Sequence, residues 1–255
     1  MDLSPPLRTA LRILAIAIGL ASGPAAAEKT LVAVAANFTA PAEDIAAAFA
    51  AASGHQAVLS YGATGQLFAQ IMQGAPYEVF LAADAERPAR ALAEGLAVAG
   101  SGFTYAVGRL ALYGREPGTA TGPDSLHLGP GERIAIANPD LAPYGRAAIE
   151  VMQALDLEDR LRPTFVIGTT IAQAFQFVET GNTAIGFVAL AQVIGRSEGN
   201  YWPVPASLHA PIRQDAVLLA AGKDNPAARV FLDFLRSEAA HKIIAAYGYD
   251  AAMAE

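Results

Sequence analysis

The 255-residue chain contains no cysteine, which excludes disulfides, thiolate metal sites and thiol nucleophiles. Charge is sparse, with Asp, Glu, Lys and Arg making up only 16% of residues, and cations are the minority at 17 against 24 acidic residues. A formal net charge of −7 argues against a nucleic-acid partner, whose phosphates demand a basic face. The four histidines, His55, His127, His209 and His241, are scattered without metal-ligand spacing and read as surface residues. Asp44, Asp84 and Asp215 have no paired nucleophile, and Ser60 and Ser101 lack a Gly-x-Ser-x-Gly setting. No apolar run reaches the roughly 20 residues that span a bilayer.

What is present begins with an address. Arg8 and Arg12 form a basic start, residues 13–21 an apolar run, and Ala25-Ala26-Ala27 a small-residue cleavage site. Gly19, Gly23 and Pro24 break the segment, which favours removal over retention as an anchor. No Cys follows, so a lipid-anchored form is excluded. Cleavage near Ala27 removes Arg8, Arg12 and Asp2, leaving 15 basic and 23 acidic residues, a net charge of −8. The mature product is expected to be exported, soluble and monomeric, with no membrane insertion.

Strand-like and helix-like segments then alternate, as in an α/β fold built on mainly parallel sheets. Residues 31–36 are continuously apolar, as expected of a strand covered on both faces. Thr39 and Pro41 sit where an N-cap and first turn belong, Ile45, Phe49 and Ala52 share one helix face, and Gly54 ends it. Strands are expected at 57–61, 77–82, 134–137, 165–167 and 185–188, with long ones at 103–113 and 215–221. Helices are expected at 66–73, 85–93 (capped by Asp84), 145–155, 171–178, 226–235 and 239–246. Residues 117–131 and 197–211 read as surface loops. This order suggests a discontinuous first lobe, 28–107 plus 214–255, an inserted second lobe, 108–213, and a hinged cleft between them.

Three segments combine strand ends with helix starts: Ala35-Ala36-Asn37-Phe38-Thr39, Ser60-Tyr61-Gly62-Ala63-Thr64-Gly65, and the stretch from Asn138 through Asp140 and Pro143 to Tyr144-Gly145. Helix N-termini present unpaired N–H groups and are ready anion sites. These segments hold hydroxyls and an amide but no Lys, Arg, His or Glu. Gly62 and Gly65 are not a phosphate loop, because no Lys-Ser/Thr follows. Taken alone, Asn37 and Thr64 read as helix caps, Ile171 as core and Asp140 as a turn former, and Tyr144 reads as a turn cover or a ligand contact alike. Uncharged donors in helix-opening loops suit a small oxyanion that is gripped and left chemically unchanged.

With the segments in place, the chain resembles the periplasmic molybdate-binding proteins of ABC transporters over nearly all of its mature length. The resemblance is carried by Ala-Ala-Asn-Phe-Thr, by residues 61–71, by Gly74-Ala75-Pro76-Tyr77-Glu78-Val79-Phe80 and by Phe103-Thr104-Tyr105-Ala106-Val107-Gly108. Residues 138–145, Gly186-Phe187-Val188-Ala189-Leu190-Ala191-Gln192 and Tyr247-Gly248-Tyr249 complete it, in the correct order. It implies a two-lobed type II periplasmic-binding fold that captures molybdate or tungstate between its lobes and delivers it to a membrane permease. It also implies that Asn37 supplies a backbone N–H and a side-chain donor, Thr64 a hydroxyl, and Tyr144 and Ile171 backbone donors, with Ala36 and Ala63 beside them. Molybdenum would be held only as its oxyanion through these residues, with no direct protein–metal ligand and no cofactor. Two positions depart from the family: one branch carries tyrosine where Ala189 stands, another threonine where Ala36 stands. The alternatives are a receptor for sulfate or thiosulfate and, from a different class, an exported hydrolase.

Overall fold

A computed structural model describes residues 27–250. The leader expected at 1–27 therefore lies, apart from Ala27, outside the described residues. Ten strands run in chain order: β1 (Lys29–Ala35), β2 (Gln56–Gly62), β3 (Val79–Leu81), β4 (Phe103–Gly108), β5 (Leu110–Gly114), β6 (Ile134–Ala137), β7 (Phe165–Gly168), β8 (Ile185–Ala189), β9 (Asn200–Pro203) and β10 (Ile212–Leu218). The helices are α1 (Thr39–Ser53), α2 (Thr64–Met72), α3 (Glu86–Ala93), α4 (Pro143–Ala154), α5 (Glu158–Leu161), α6 (Ile171–Glu179), α7 (Leu190–Val193), α8 (Pro226–Leu235) and α9 (Glu238–Ala246).

The strands form two five-stranded sheets, in the orders β2-β1-β3-β10-β4 and β7-β6-β8-β5-β9. Each has a parallel three-strand core, β2-β1-β3 and β7-β6-β8, extended by two strands in antiparallel pairing. The mixed character has a physical origin: β4, β5 and β10 flank the crossings of the chain from one sheet to the other. The expected long strand over 103–113 is in fact two. Gly108 ends β4 in the first sheet, and after Arg109 alone, Leu110 opens β5 in the second. The apolar pattern runs through the crossing because both strands are buried, so periodicity could not mark it. The expected loop at 197–211 also contains β9, an edge strand paired with β5. The other expected loop packs Leu126 into the second core from a 3₁₀ turn at Pro123–Leu126.

Alternation sets the first core. Val32, Val34, Leu81, Ala216 and Leu218 face α1, α8 and α9, whereas Ala33, Phe80 and Val217 face α2 and α3. Helix α1 fully buries Ile45 and Phe49, worth about 1.5–3 kcal/mol each. It stops at Gly54, whose φ of 75° and N–H to Ala50 O make a left-handed cap. Thr39 is the first helical residue of α1 rather than its cap; its hydroxyl turns back to donate to Ala36 O at 3.0 Å. In both sheets the parallel strands end at the turns that open α1, α2, α4 and α6, and these turns meet between the sheets.

Candidate functional site

Strand β1 runs through a 3₁₀ turn, Ala36–Phe38, into α1, and β2 passes through Ala63 into α2. From the other sheet, β6 leads to α4 and β7 to α6. The turn after β6 is built by Asn138, whose carbonyl accepts from the N–H groups of Leu141 and Ala142 at 3.2 and 2.8 Å. Its side-chain oxygen accepts from Asp140 N at 2.9 Å. Asp140 itself is exposed, in keeping with a turn role. Thr170 caps α6, its hydroxyl oxygen accepting from Gln173 N at 3.1 Å.

The structure brings the expected residues together. Ala36 and Ala63 pack with Ala83 from one half, and Ala142, Tyr144, Ile171 and Ala189 from the other, in one buried apolar cluster. All six candidate residues are buried, from 1% relative exposure at Thr64 and Tyr144 to 8% at Ala36, so the halves are closed on each other. The seam has direct bonds: Gly65 N donates to Leu141 O at 2.8 Å, and the Arg87 guanidinium donates to Asp140 O at 3.1 Å. Arg146 pairs with Glu86 at 3.5 Å farther out.

First-turn N–H groups lack intrahelical acceptors. In α4, Pro143 has none, and Gly145 and Arg146 bond back to Ala142 O, which leaves the Tyr144 N–H. In α2, Gly65 N is committed to Leu141 O, which leaves the Thr64 and Gln66 N–H groups; in α6, where Gln173 N and Ala174 N bond to Thr170, those of Ile171 and Ala172 remain. The Thr64 hydroxyl oxygen accepts from Ala83 N at 3.1 Å, so its own proton is available to donate. At Ala189 the backbone N–H is already taken by Gln192 Oε1 at 2.9 Å, so this loop offers less than its neighbours.

Asn37 differs from the sequence expectation. Its amide nitrogen donates to Gln214 Oε1 at 2.8 Å and to the Tyr249 hydroxyl at 3.1 Å, and that hydroxyl donates back to Asn37 O at 2.8 Å. The side chain is thus engaged inside the protein, and the backbone N–H is the group left to act outward. Gln214, Tyr105 and Tyr249 were not singled out as site residues by the sequence. A legible signal existed: Gln214 stands on the inward register of β10 with Ile212, Ala216 and Leu218 and is completely buried. Its partners, however, lie 177 and 70 residues away in Asn37 and Tyr144.

The electrostatics are neutral. Burial pushes the Tyr105, Tyr144 and Tyr249 hydroxyls above the usual phenol range, so all three stay protonated. The nearest ionised pair, Arg87 with Asp84, is internally compensated. Among the described residues there is no cluster of His, Cys, Asp or Glu able to hold a metal ion. The arrangement can solvate an acceptor-only ligand with dipoles from both halves.

These features define a two-lobed solute receptor, and the chain belongs to the bacterial extracellular solute-binding protein family, whose model matches residues 30–250. Among known proteins it is 50% identical over 243 residues to the molybdate-binding protein ModA of Rhodobacter capsulatus, covering 95% of this chain and 96% of that one. It is 48% identical to ModA of Azotobacter vinelandii over 241 residues, 93% of this chain and 96% of the relative. The solved periplasmic molybdate-binding protein of Azotobacter vinelandii superposes with a TM-score of 0.85 at 36% identity, covering 88% of this chain and all of the other. The fold is accordingly the type II periplasmic-binding fold expected from the sequence.

Proposed function

We propose that this protein is the periplasmic receptor of an ABC importer, capturing molybdate, or tungstate, between its lobes and handing it to a membrane permease. The observation that carries this reading is the meeting of four helix-opening turns, two from each sheet, around a buried cluster free of ionised side chains. The ligand is an acceptor at every oxygen, so a donor-only site fits it. Its donors are the backbone N–H groups of Asn37, Thr64, Tyr144 and Ile171 and the Thr64 hydroxyl, with Ala36 and Ala63 in contact. A hydrogen phosphate would need a carboxylate to accept its proton, and Asp140 turns to solvent. Hydrogen bonds to a charged group contribute roughly 1.5–3 kcal/mol each. Five support micromolar to nanomolar binding, about −8 to −12 kcal/mol, after association and closure costs.

In this reading residues 1–27 are a cleaved export leader, and no helix among the described residues is long and apolar enough to cross a membrane. Lobe one comprises 28–107 and 214–255, lobe two 108–213, a division that follows the two sheets except that Gly108, Ile212 and Arg213 belong to strands of the first. The mature protein works as a monomer, binds without catalysis and needs no cofactor. Calorimetric titration with molybdate, tungstate, sulfate and phosphate is the test. Micromolar or tighter binding of the first two is expected; tighter sulfate binding, or none of any oxyanion, would overturn the reading.

A further inference from the structure

Gln214 is the one completely buried side chain among those described that carries both amide donor and acceptor, and it sits beside the crossing between the lobes. Its strand, β10, is the return path of the chain, and Gln214 pairs across the ladder with Ala106, two residues before Gly108. The amide is fully oriented. Oε1 accepts from Asn37 Nδ2 at 2.8 Å and from the Tyr105 hydroxyl at 3.0 Å, both in the first lobe. That fixes Nε2 as the free end, and it donates at 3.1 Å to the hydroxyl of Tyr144, in the second lobe.

Both ends of this bridge are attached to candidate ligand donors. Asn37 is further held by its reciprocal pair of bonds with the Tyr249 hydroxyl, which sets the plane of its peptide. Tyr144 contributes its backbone N–H at the start of α4, and its ring runs back to Gln214. Gly108 provides the room for the contact, since a Cβ there would overlap the Tyr144 hydroxyl and lie 2.6 Å from Gln214 Nε2. Opening the lobes takes Tyr144 away and strands a buried amide N–H; closing them satisfies it.

We propose that Gln214 is a positioning residue that latches the closed lobes, so that the donors at Asn37 and Tyr144 are aligned by a single side-chain amide. It touches no ligand; it acts through the two residues that do. The role rests on the oxyanion reading above for its link to affinity, but the latch itself is a property of the protein without ligand. It makes the closed form a preexisting minor or major state that the ligand selects.

The test uses the mature protein with a fluorophore pair spanning the lobes, and the variants Tyr144→Phe, Gln214→Met and their combination. Tyr144→Phe keeps the backbone N–H and the ring while removing the latch acceptor along with its contact to the Tyr249 hydroxyl, so Gln214→Met and the double variant isolate the amide's share. Without ligand, Gln214→Met should lower the closed-to-open ratio about fivefold, the effect of one neutral buried hydrogen bond, Tyr144→Phe by at least as much, and the double variant no further than Tyr144→Phe. Molybdate dissociation should accelerate by the same factor with little change in association. A closed fraction unchanged in Tyr144→Phe, or losses that multiply in the double variant, would overturn the latch. A closed fraction that falls as expected in a protein that binds no oxyanion would sustain the latch and refute the ligand assignment.

Discussion

Replacing Gly108 by alanine should hold the lobes apart while leaving each folded. The backbone there lies outside the left-handed region, so alanine meets no conformational objection. The obstruction is steric: the added methyl would overlap the Tyr144 hydroxyl, lie 2.9 Å from its Cζ and 2.6 Å from Gln214 Nε2. Both neighbours are buried and hydrogen-bonded to each other, so neither can swing away cheaply. Overpacking of this kind costs about 1–3 kcal/mol. Because Gly108 ends a strand of one sheet and Tyr144 opens a helix on the other, the Tyr144 overlap falls on the closed form alone, whereas the contact with Gln214, within one sheet, is relieved by a shift of its side-chain amide once Tyr144 has left. Affinity for molybdate should therefore drop about 5- to 150-fold at one decade per 1.36 kcal/mol, while the unliganded melting temperature stays near that of the parent. Adding Tyr144→Phe removes the overlapped oxygen and should recover part of the loss. Calorimetry gives the affinity and thermal unfolding the control. An affinity within twofold of the parent, or a loss matched by equal destabilisation of the unliganded protein, would refute the reasoning.

Thr64→Val removes the hydroxyl proposed to face the ligand and should weaken binding by about 1.5–3 kcal/mol; because Ala83 N loses its acceptor, urea unfolding should also show a loss of about 1–3 kcal/mol. Thr64→Ser keeps both bonds and should restore both measurements. The tyrosines Tyr105, Tyr144 and Tyr249 have folded pKa values raised by burial, whereas unfolded tyrosine ionises near pH ~10. Their stabilisation is thus complete below about pH 10 and lost as pH climbs beyond it; stability that held constant to pH 11.5 in urea unfolding would contradict this. With a formal net charge of −7, approach of a dianion is repelled, so stopped-flow association should quicken as salt shortens the screening length from about 30 Å at 0.01 M to about 8 Å at 0.15 M. Association that slowed steeply with salt would point to a cationic site instead.

Much of the fold could be read from residues alone because local signals agreed with the tertiary result. Pro226 stands at a helix start with Asn225 as its cap, and the expected helix over 226–235 has those bounds in the structure. Ile134–Ala137 is likewise a short apolar run buried on both faces. Reading failed where the deciding cause lay far along the chain. The run over 103–113 is apolar throughout because each half is buried, one in each sheet; only the packing of two lobes divides it at Arg109. Strand β9 is four residues long, ends in a proline and owes its existence to the free edge of β5. At the candidate site the sequence supplied the turns but not the direction of the side chains. Asn37 could equally have aimed its amide into the cleft or inward, and Gln214 and Tyr249 together settled the matter.

Neutral donors and a hinged seam depend on each other here. A cationic site attracts an anion over a Debye length and works in a half-open cleft, whereas dipoles act only at contact, where water has been displaced. In the proposed site, donors drawn from α2 on one side and α4 and α6 on the other all reach contact when Gly65 N meets Leu141 O and Gln214 meets Tyr144. Affinity built this way is held in geometry, and separating the lobes by a few ångströms takes the donors of one lobe out of contact together. No long-range attraction then remains to retain the ligand, since the chain carries a net charge of −7. The same absence of cationic side chains that makes capture depend on closure therefore speeds release upon opening, which is what delivery to a permease requires.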